Sequence, residues 1–597
     1  MSTASTTPGI HHDRPYHVRY LENPDQAALR KLALERTPLI FETAYGNLNK
    51  ITRVKTRKAD STFIVATADR KGEFSSPVLA SEEARRLLDK QRAYVEKAGE
   101  MIQIDRYLGF PPRAYPVQWL YTPEGANIAA MQQILAFGRA TVESKEQLAR
   151  PFEPILRVVY TPGYLSDFTS DGVCVVVDLE NWTSYIMGSD YFGESKKSAL
   201  RMLNEWVYRE GGLVLHAGAK EVRLGRERIT MTIKGLSGTG KTTTTFSKQG
   251  DLTFPIQDDM GCLWQGGEVS ITENGCFAKT FGLTAETEPQ IYHGTIAPSA
   301  WVENAYQEPD GTFDFGKVGL TPADVGRWKG TLVATGADPK NVDRYARGEV
   351  KYEEVVDEAG IPADGWDFVV WTQNGRSIIP MSAIENAADL TDTAPVRSMG
   401  ILNRDEGPDA ATPGIVRFTT PQQAAGYFML GETSKTSAAG KERGKTRSPF
   451  TQPFFPSHHG LQARRFRELA ATLDRNVQMW MMNTGYVGGD QQGVEAGRAL
   501  KVKIRHSSAM LEALLANRIR WTKDPDFGYD VVDVEAPENA SLVAAVPVEI
   551  LQPRRWYAAA GRLDEYRAWV QQMKSERKAF LEKYKVDRDI VEATVGR

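Results

Sequence analysis

The sequence predicts a mixed α/β protein built on a nucleotide-binding P-loop core. Three observations predict it. Short β-like apolar runs alternate with helices whose apolar residues recur at 3.6-residue spacing. The helices carry recognisable end signals, such as a Ser start at Ser81 and a stop at Gly99. The string Gly235-Leu236-Ser237-Gly238-Thr239-Gly240-Lys241-Thr242 satisfies G-x-x-x-x-G-K-[ST], between a strand-like run and a helix start.

The elements follow in order. Residues 1–17 read as a polar tail. DQAALRKLALER at 25–36 reads as a helix, and SEEARRLLDKQRAYVEKAG from Ser81 as another. STFIV at 61–65 and CVVVDL at 174–179 read as strands. Lys197 to Arg209 spaces Leu200, Leu203, Trp206 and Val207 as a helix, which Gly211-Gly212 stops before the strand-like Leu213 to His216. Ile229, Met231 and Ile233 alternate into the glycine loop, and Thr243 to Lys248 can start a helix. Leu252, Phe254 and Ile256 alternate into Asp258-Asp259. Residues 316–367 are charged, weak in strand signals, and read as an insertion. The small, polar and basic stretch 432–449 reads as a flexible loop, a linker or a lid. SSAMLEALLANRIRW at 507–521 and the run bearing Leu563, Tyr566, Trp569 and Leu581 read as closing helices.

Composition narrows the function classes. The chain has 597 residues, which at roughly 150 per domain allows anything from two large lobes to four modules. The net charge is −3, which argues against a nucleic-acid surface. Three cysteines (Cys174, Cys262, Cys276) are too few and scattered for a disulfide framework and fit a reducing compartment. No apolar run approaches the ~18 residues that span a bilayer, and the first residues lack the apolar stretch of a secretory signal. A cytoplasmic protein without membrane or nucleic-acid partners is expected.

The glycine loop carries definite chemistry. Glycines let successive N–H groups converge on phosphate oxygens, and the helix that follows adds a favourable dipole. Lys241 would reach the β/γ-phosphates, and Thr242 would offer its hydroxyl to Mg²⁺. Asp258-Asp259 ends the next strand-like run, where carboxylates meet a nucleotide-bound metal.

The longer string GLSGTGKTT followed by QDD resembles the nucleotide site of ATP-type phosphoenolpyruvate carboxykinase. Further segments resemble that family in order: ENGCFAKT at 273–280, ETEPQIY at 286–292, KERGKT at 441–446 and MNTGYVGGD at 482–490. The resemblance implies a fold of two α/β lobes with the active site in the cleft between them. Residues 18–218 would form the N-terminal substrate lobe, and 219–597 the C-terminal nucleotide and metal lobe. It also implies roles. The family's GRSPKDKYIV is matched loosely by 56–65, which makes Arg57 the grip on a substrate carboxylate. Its WYGGEMKK resembles Asp190 to Lys197, so Tyr191 would line the substrate or CO₂ pocket and Lys197 would be a metal ligand. Its MHCSAN places His216 as a metal ligand, and its TRVSYPI places Arg376 beside the transferring phosphoryl group. Lys279 and Glu288 resemble residues near the phosphates and ribose. Leu236 to Thr243 would wrap the phosphates. In the family's KRISIKDTR segment, Lys501 here stands for the arginine and Ser507 for the threonine. Taken one at a time, Lys197 reads as a surface lysine, His216 as a core histidine and Tyr191 as packing.

The implied reaction decarboxylates oxaloacetate and transfers the γ-phosphoryl group of ATP to the enolate, giving phosphoenolpyruvate, CO₂ and ADP. GTP and pyrophosphate stay open as donors. Arg57, Tyr191, Lys197, His216, Lys241, Asp258, Asp259 and Arg376 form the catalytic set. Mn²⁺ would sit on Lys197, His216 and Asp259, and Mg²⁺ on Thr242 and the nucleotide. Neighbouring cations and desolvation would have to deprotonate Lys197 for it to bind a metal. A monomer is expected. A P-loop kinase with another acceptor, or a non-catalytic nucleotide sensor, are the rival readings.

Overall fold

The computed structural model describes residues 14–55, 59–225, 227–235, 239–246, 253–358, 360–407, 410–435, 444–450 and 454–596. Most local signals behave as read, with one correction: Ser81 is the first helical residue rather than the cap, and the cap position, Ala80, offers no side-chain acceptor. Asp25 caps the helix Gln26–Arg36 by accepting the Ala28 N–H at 2.8 Å. Gly99 ends the helix Ser81–Ala98 with φ +71°, the left-handed conformation that glycine adopts at no steric cost.

The chain forms two compact units. The first comprises Met1–Trp206, Thr272–Glu385 and Pro453–Ser457, and the second Val207–Ile271, Asn386–Gln452 and His458–Arg597. This differs from a split at residue 218, and the reason is strand pairing. Gly275–Lys279, Arg376–Pro380 and Trp301–Glu303 hydrogen-bond into one sheet with Leu48–Lys50 and Ile40–Glu42. That sheet binds residues 272–385 to the N-terminal part of the chain. The first unit also holds an eight-stranded sheet, in which Thr62–Val65 and Cys174–Asp178 are neighbours.

Two other expectations change, and the expected insertion gains structure. The tail is shorter than 17 residues, because Tyr16 is buried against Tyr20 and Val95. Residues 316–367 contain the helices Pro322–Ala334, Pro339–Ala346 and Tyr352–Val355. Their apolar faces share a cluster with Ile51 and Tyr306, so this segment belongs to the first unit. The ends of 432–449 are paired strands, Glu432–Lys435 with Gly444–Arg447. The intervening 436–443 lies outside the described residues.

In the second unit, Glu227–Lys234, Val396–Asn403 and Gln478–Asn483 run parallel side by side. Strands buried on both faces need helices on both sides. Met399 and Met481 enter a cluster with helices such as Pro421–Leu430 and Leu563–Lys583. Leu402, Trp480 and Met482 enter another with Ile504–Leu515. The helix expected at 507–521 is that Ile504–Leu515 helix. Asn517 adopts φ +51°, which stops it, and Trp521–Lys523 is a strand paired with Asp530–Val532. The three parallel strands end together at Lys234, Asn403 and Asn483. Ligands of α/β sheets bind at such carboxyl ends. Among the described residues, no helix is long and apolar enough to cross a membrane.

Candidate active site

In the second unit the glycine loop leaves the carboxyl end of Glu227–Lys234 and enters the helix Lys241–Phe246. Gly240 has φ +88°, a conformation other residues rarely adopt. A Cβ at Gly235 would stand 2.3 Å from the Thr239 hydroxyl oxygen, which would have to shift to admit it. Thr484 Oγ1 donates to the Thr239 carbonyl at 3.1 Å, which ties the NTGY segment to the loop. Leu236, Ser237 and Gly238 lie outside the described residues. Thr242 and Thr243 are helical, with side chains outside the description.

Sheet register assembles the charged groups. Leu213–Leu224 pairs antiparallel with Met260–Leu263, and His216 falls opposite Met260, beside Asp259. His216 Nε2 stands 2.9 Å from Asp259 Oδ1. Its Nδ1 lies 2.7 Å from the Phe450 carbonyl, an acceptor only, so Nδ1 carries the proton and donates there. Lys241 Nζ donates to the Asp258 carbonyl at 2.8 Å and stands 3.8 Å from Asp259 Oδ1. Thus His216, Lys241, Asp258 and Asp259 meet in one place. Lys501 is exposed, 5.7 Å above the Tyr486 ring, and Ser507 is half-buried on Ile504–Leu515. A cavity of about 770 Å³ lies between the turn near Gly488 and the Trp556–Glu565 region, and no predicted site residue lines it.

The first unit holds the remaining groups. Arg57 lies outside the described residues. Tyr191 is buried, and its carbonyl accepts the Tyr160 hydroxyl at 2.9 Å. Lys197 is buried on the helix Phe192–Arg209, with Nζ 4.5 Å above the Phe454 ring, so it is no surface lysine. Arg376 and Lys279 face each other in register on paired strands. Desolvation, then the Arg376 charge, hold the Lys279 ammonium below its usual range. Glu288 precedes the helix Pro289–Thr295.

Several charged residues near these groups escape a reading of the sequence. Burial pushes the Glu303 carboxyl up to about 8, and Asp190 adds to the rise. Burial would raise Asp190 itself, but Lys50 and the N–H groups of Val54 and Arg53 hold it below its usual range. Burial pushes Lys55 down to about 7, and its ammonium donates to the Thr52 carbonyl. In the second unit, burial pushes Lys220 and Lys234, on the two strands before the glycine loop, down to about 7. The available signal is a single charge inside an otherwise apolar strand, as at Glu303 in AWVENA.

Divalent-metal donors are present in part. His216 presents its Nε2 beside Asp259 while its Nδ1 donates to the Phe450 carbonyl, and such an acceptor on the far nitrogen is the usual way a ligating imidazole is oriented. Among the described residues no three His, Cys, Asp or Glu cluster as a metal site.

Comparison with known proteins identifies the family. The sequence profile of the family described as phosphoenolpyruvate carboxykinase matches residues 18–326 and 354–539. Three relatives are named phosphoenolpyruvate carboxykinase (ATP). The one from Chelativorans sp. (strain BNC1) is 28% identical over 428 residues, 70% of this chain and 65% of the relative. That from Rhizobium rhizogenes (strain K84) is 29% identical, covering 74% and 71%. That from Geobacillus thermodenitrificans (strain NG80-2) is 26% identical, covering 80% and 78%. The match with the first thus spans slightly less than two thirds of that relative's length. With the profile spanning most of the chain, through the glycine loop and the His216–Asp259 pair, the protein belongs to the phosphoenolpyruvate carboxykinase family.

Proposed function

We propose that this chain is an ATP-dependent phosphoenolpyruvate carboxykinase. It decarboxylates oxaloacetate and transfers the γ-phosphoryl group of ATP to the enolate oxygen, giving phosphoenolpyruvate, CO₂ and ADP. One observation carries the reading: Asp259 Oδ1 is shared between an imidazole at 2.9 Å and the glycine-loop lysine at 3.8 Å. A P-loop kinase with another acceptor needs the lysine and an aspartate, but has no use for His216. The relatives' shared name supports the same reaction.

The residues divide the work. Leu236 to Thr243 and Lys241 bind and orient the phosphates, as phosphoryl transfer depends mainly on positioning and electrostatics. Arg57 and Tyr191 hold oxaloacetate, and Arg376 offsets charge on the transferring group. Lys279, Glu288, Lys501 and Ser507 contact the nucleotide. Lys197, His216 and Asp259 hold Mn²⁺, and Thr242 and Asp258 serve the Mg²⁺ of the nucleotide. A divalent cation at this site supplies Lewis-acid stabilisation of negative charge developing on oxygen. The protein acts on small molecules as a cytoplasmic monomer.

The test is a coupled assay with oxaloacetate, Mg²⁺ and Mn²⁺, run with ATP, GTP and pyrophosphate in parallel. Phosphoenolpyruvate is expected with ATP. No product with any donor refutes the reaction.

A further inference from the structure

The turn that carries Tyr191 is gripped from three sides. The Asp190 carboxylate accepts the N–H of Arg53 at 2.8 Å and of Val54 at 3.0 Å, and pairs with Lys50 Nζ at 3.1 Å. The Tyr160 hydroxyl holds the Tyr191 carbonyl. Glu303 Oε1 accepts the N–H of Phe192 at 3.0 Å, at the first residue of the helix Phe192–Arg209. Glu303 also lies opposite Lys50 on one neighbouring strand and opposite Arg376 on the other.

These carboxylates are placed at a cost. Glu303 is fully buried, and its Oε2 has no hydrogen-bond partner among the described residues. Burying a polar group is unfavourable unless hydrogen bonds or a paired charge satisfy it, and a residual unsatisfied atom calls for an explanation. What Glu303 and Asp190 do is hold backbone. Their acceptors fix the start of the helix that bears Lys196 and Lys197, and the turn before it. Asp190 stands where the family's WYGGEMKK pattern has tryptophan.

We infer that Asp190 and Glu303 are positioning residues that hold Tyr191 and the start of Phe192–Arg209 in the geometry the oxaloacetate end of the reaction requires. The inference rests on the function proposed above. Neither residue touches a reacting atom. Each acts through backbone, and a displacement near 1 Å costs about a hundredfold in rate.

The experiment measures kcat, KM for oxaloacetate, ATP affinity and Tm for wild type, Asp190→Ala, Asp190→Asn, Glu303→Ala and Glu303→Gln. Asp190→Ala and Glu303→Ala are expected to lose about ten- to a hundredfold in kcat/KM for oxaloacetate, with ATP affinity within about twofold of wild type. Glu303→Gln keeps an acceptor for the Phe192 N–H and should recover most of the loss. Asp190→Asn keeps the shape but only one acceptor, and should fall between. The inference fails if the alanine variants turn over normally. It also fails if ATP affinity falls in step with kcat/KM, or if Glu303→Gln is as poor as Glu303→Ala. Should an alanine variant not fold, Asp190→Asn decides: an intermediate loss in kcat/KM at unchanged ATP affinity upholds the inference, and wild-type turnover overturns it. A wild type that forms no phosphoenolpyruvate overturns the functional reading and this inference together; an active wild type with unaffected variants overturns this inference alone.

Discussion

Single side chains give the sharpest tests. Lys241→Ala should cut turnover about a hundredfold or more, since one charge stabiliser at a transferring group is worth that much. It should weaken ATP binding as well, which equilibrium dialysis measures. His216→Ala should weaken Mn²⁺ binding and turnover while leaving ATP affinity near wild type. Unchanged Mn²⁺ binding would remove His216 from the metal set. Glu303 supplies a pH test. An unfolded glutamate ionises near ~4.3, whereas the folded carboxyl holds its proton up to about 8. Between these values the folded state binds the extra proton, so stability falls as pH rises through the window and levels off above it. Glu303→Gln removes that dependence. Its Tm advantage over wild type should be small at pH 5 and largest at pH 8. A constant difference would show that Glu303 ionises normally. Legibility at this scale follows locality. The glycine loop, its lysine and the following aspartates lie in one short stretch and can be read directly. His216 comes only through family resemblance, because its nearness to Asp259 is a matter of strand register. Asp190 is not legible, and Glu303 leaves only the weak signal of one charge in an apolar strand, because burial of a carboxyl is decided by what packs on it.

At the scale of elements, the hairpin Glu432–Lys435/Gly444–Arg447 shows what composition conceals. Its residues are small and polar, yet Glu432 is buried between Arg577 at 2.7 Å and Arg447 at 2.8 Å. Burial alone would raise the Glu432 carboxyl, but the Arg577 and Arg447 charges outweigh it and hold it well below its usual range. Arg447 also reaches Glu576 at 2.8 Å. Removing one partner of such a buried pair leaves an uncompensated charge. Arg577→Met should therefore cost about 3–5 kcal/mol, read as a lowered midpoint in urea unfolding. A loss below 1 kcal/mol would mean that Arg447 alone satisfies Glu432. Composition makes the hairpin look like loop because its partners are distant in sequence. The apolar spacing makes the helix Ile504–Leu515 look too long for the opposite reason: the pattern continues, and the stop at Asn517 is conformational.

Over the whole molecule, the family match ends at residue 539 while the core continues. Trp569, Met573, Leu581 and Ile590 are almost wholly buried in the second unit's main cluster. At about 25 cal/mol per Å² of apolar surface, four such side chains contribute on the order of 6–12 kcal/mol, comparable to the net stability of a domain. A chain ending at residue 539 should be insoluble or lack a cooperative melting transition, which expression and calorimetry will show. A soluble, cooperatively folded product would mean that the final helices are accessory. The α/β class and the P-loop core are legible from pattern alone. The division of the chain is not, because membership of a unit is decided by pairings such as Trp301–Glu303 with Leu48–Lys50.

That interleaving sets an order of events during synthesis. The first unit incorporates Pro453–Ser457: Phe455 is buried, Ser457 bonds Glu205 at 2.7 Å, and the Pro456 carbonyl accepts the Ser75 N–H at 3.0 Å. It therefore cannot close until three quarters of the chain has left the ribosome, after much of the second unit has emerged. The second unit waits in turn for the helix that carries Arg577. A nascent chain of this kind exposes unfinished sheet edges and apolar clusters for most of its translation, and chaperone supply should govern its yield.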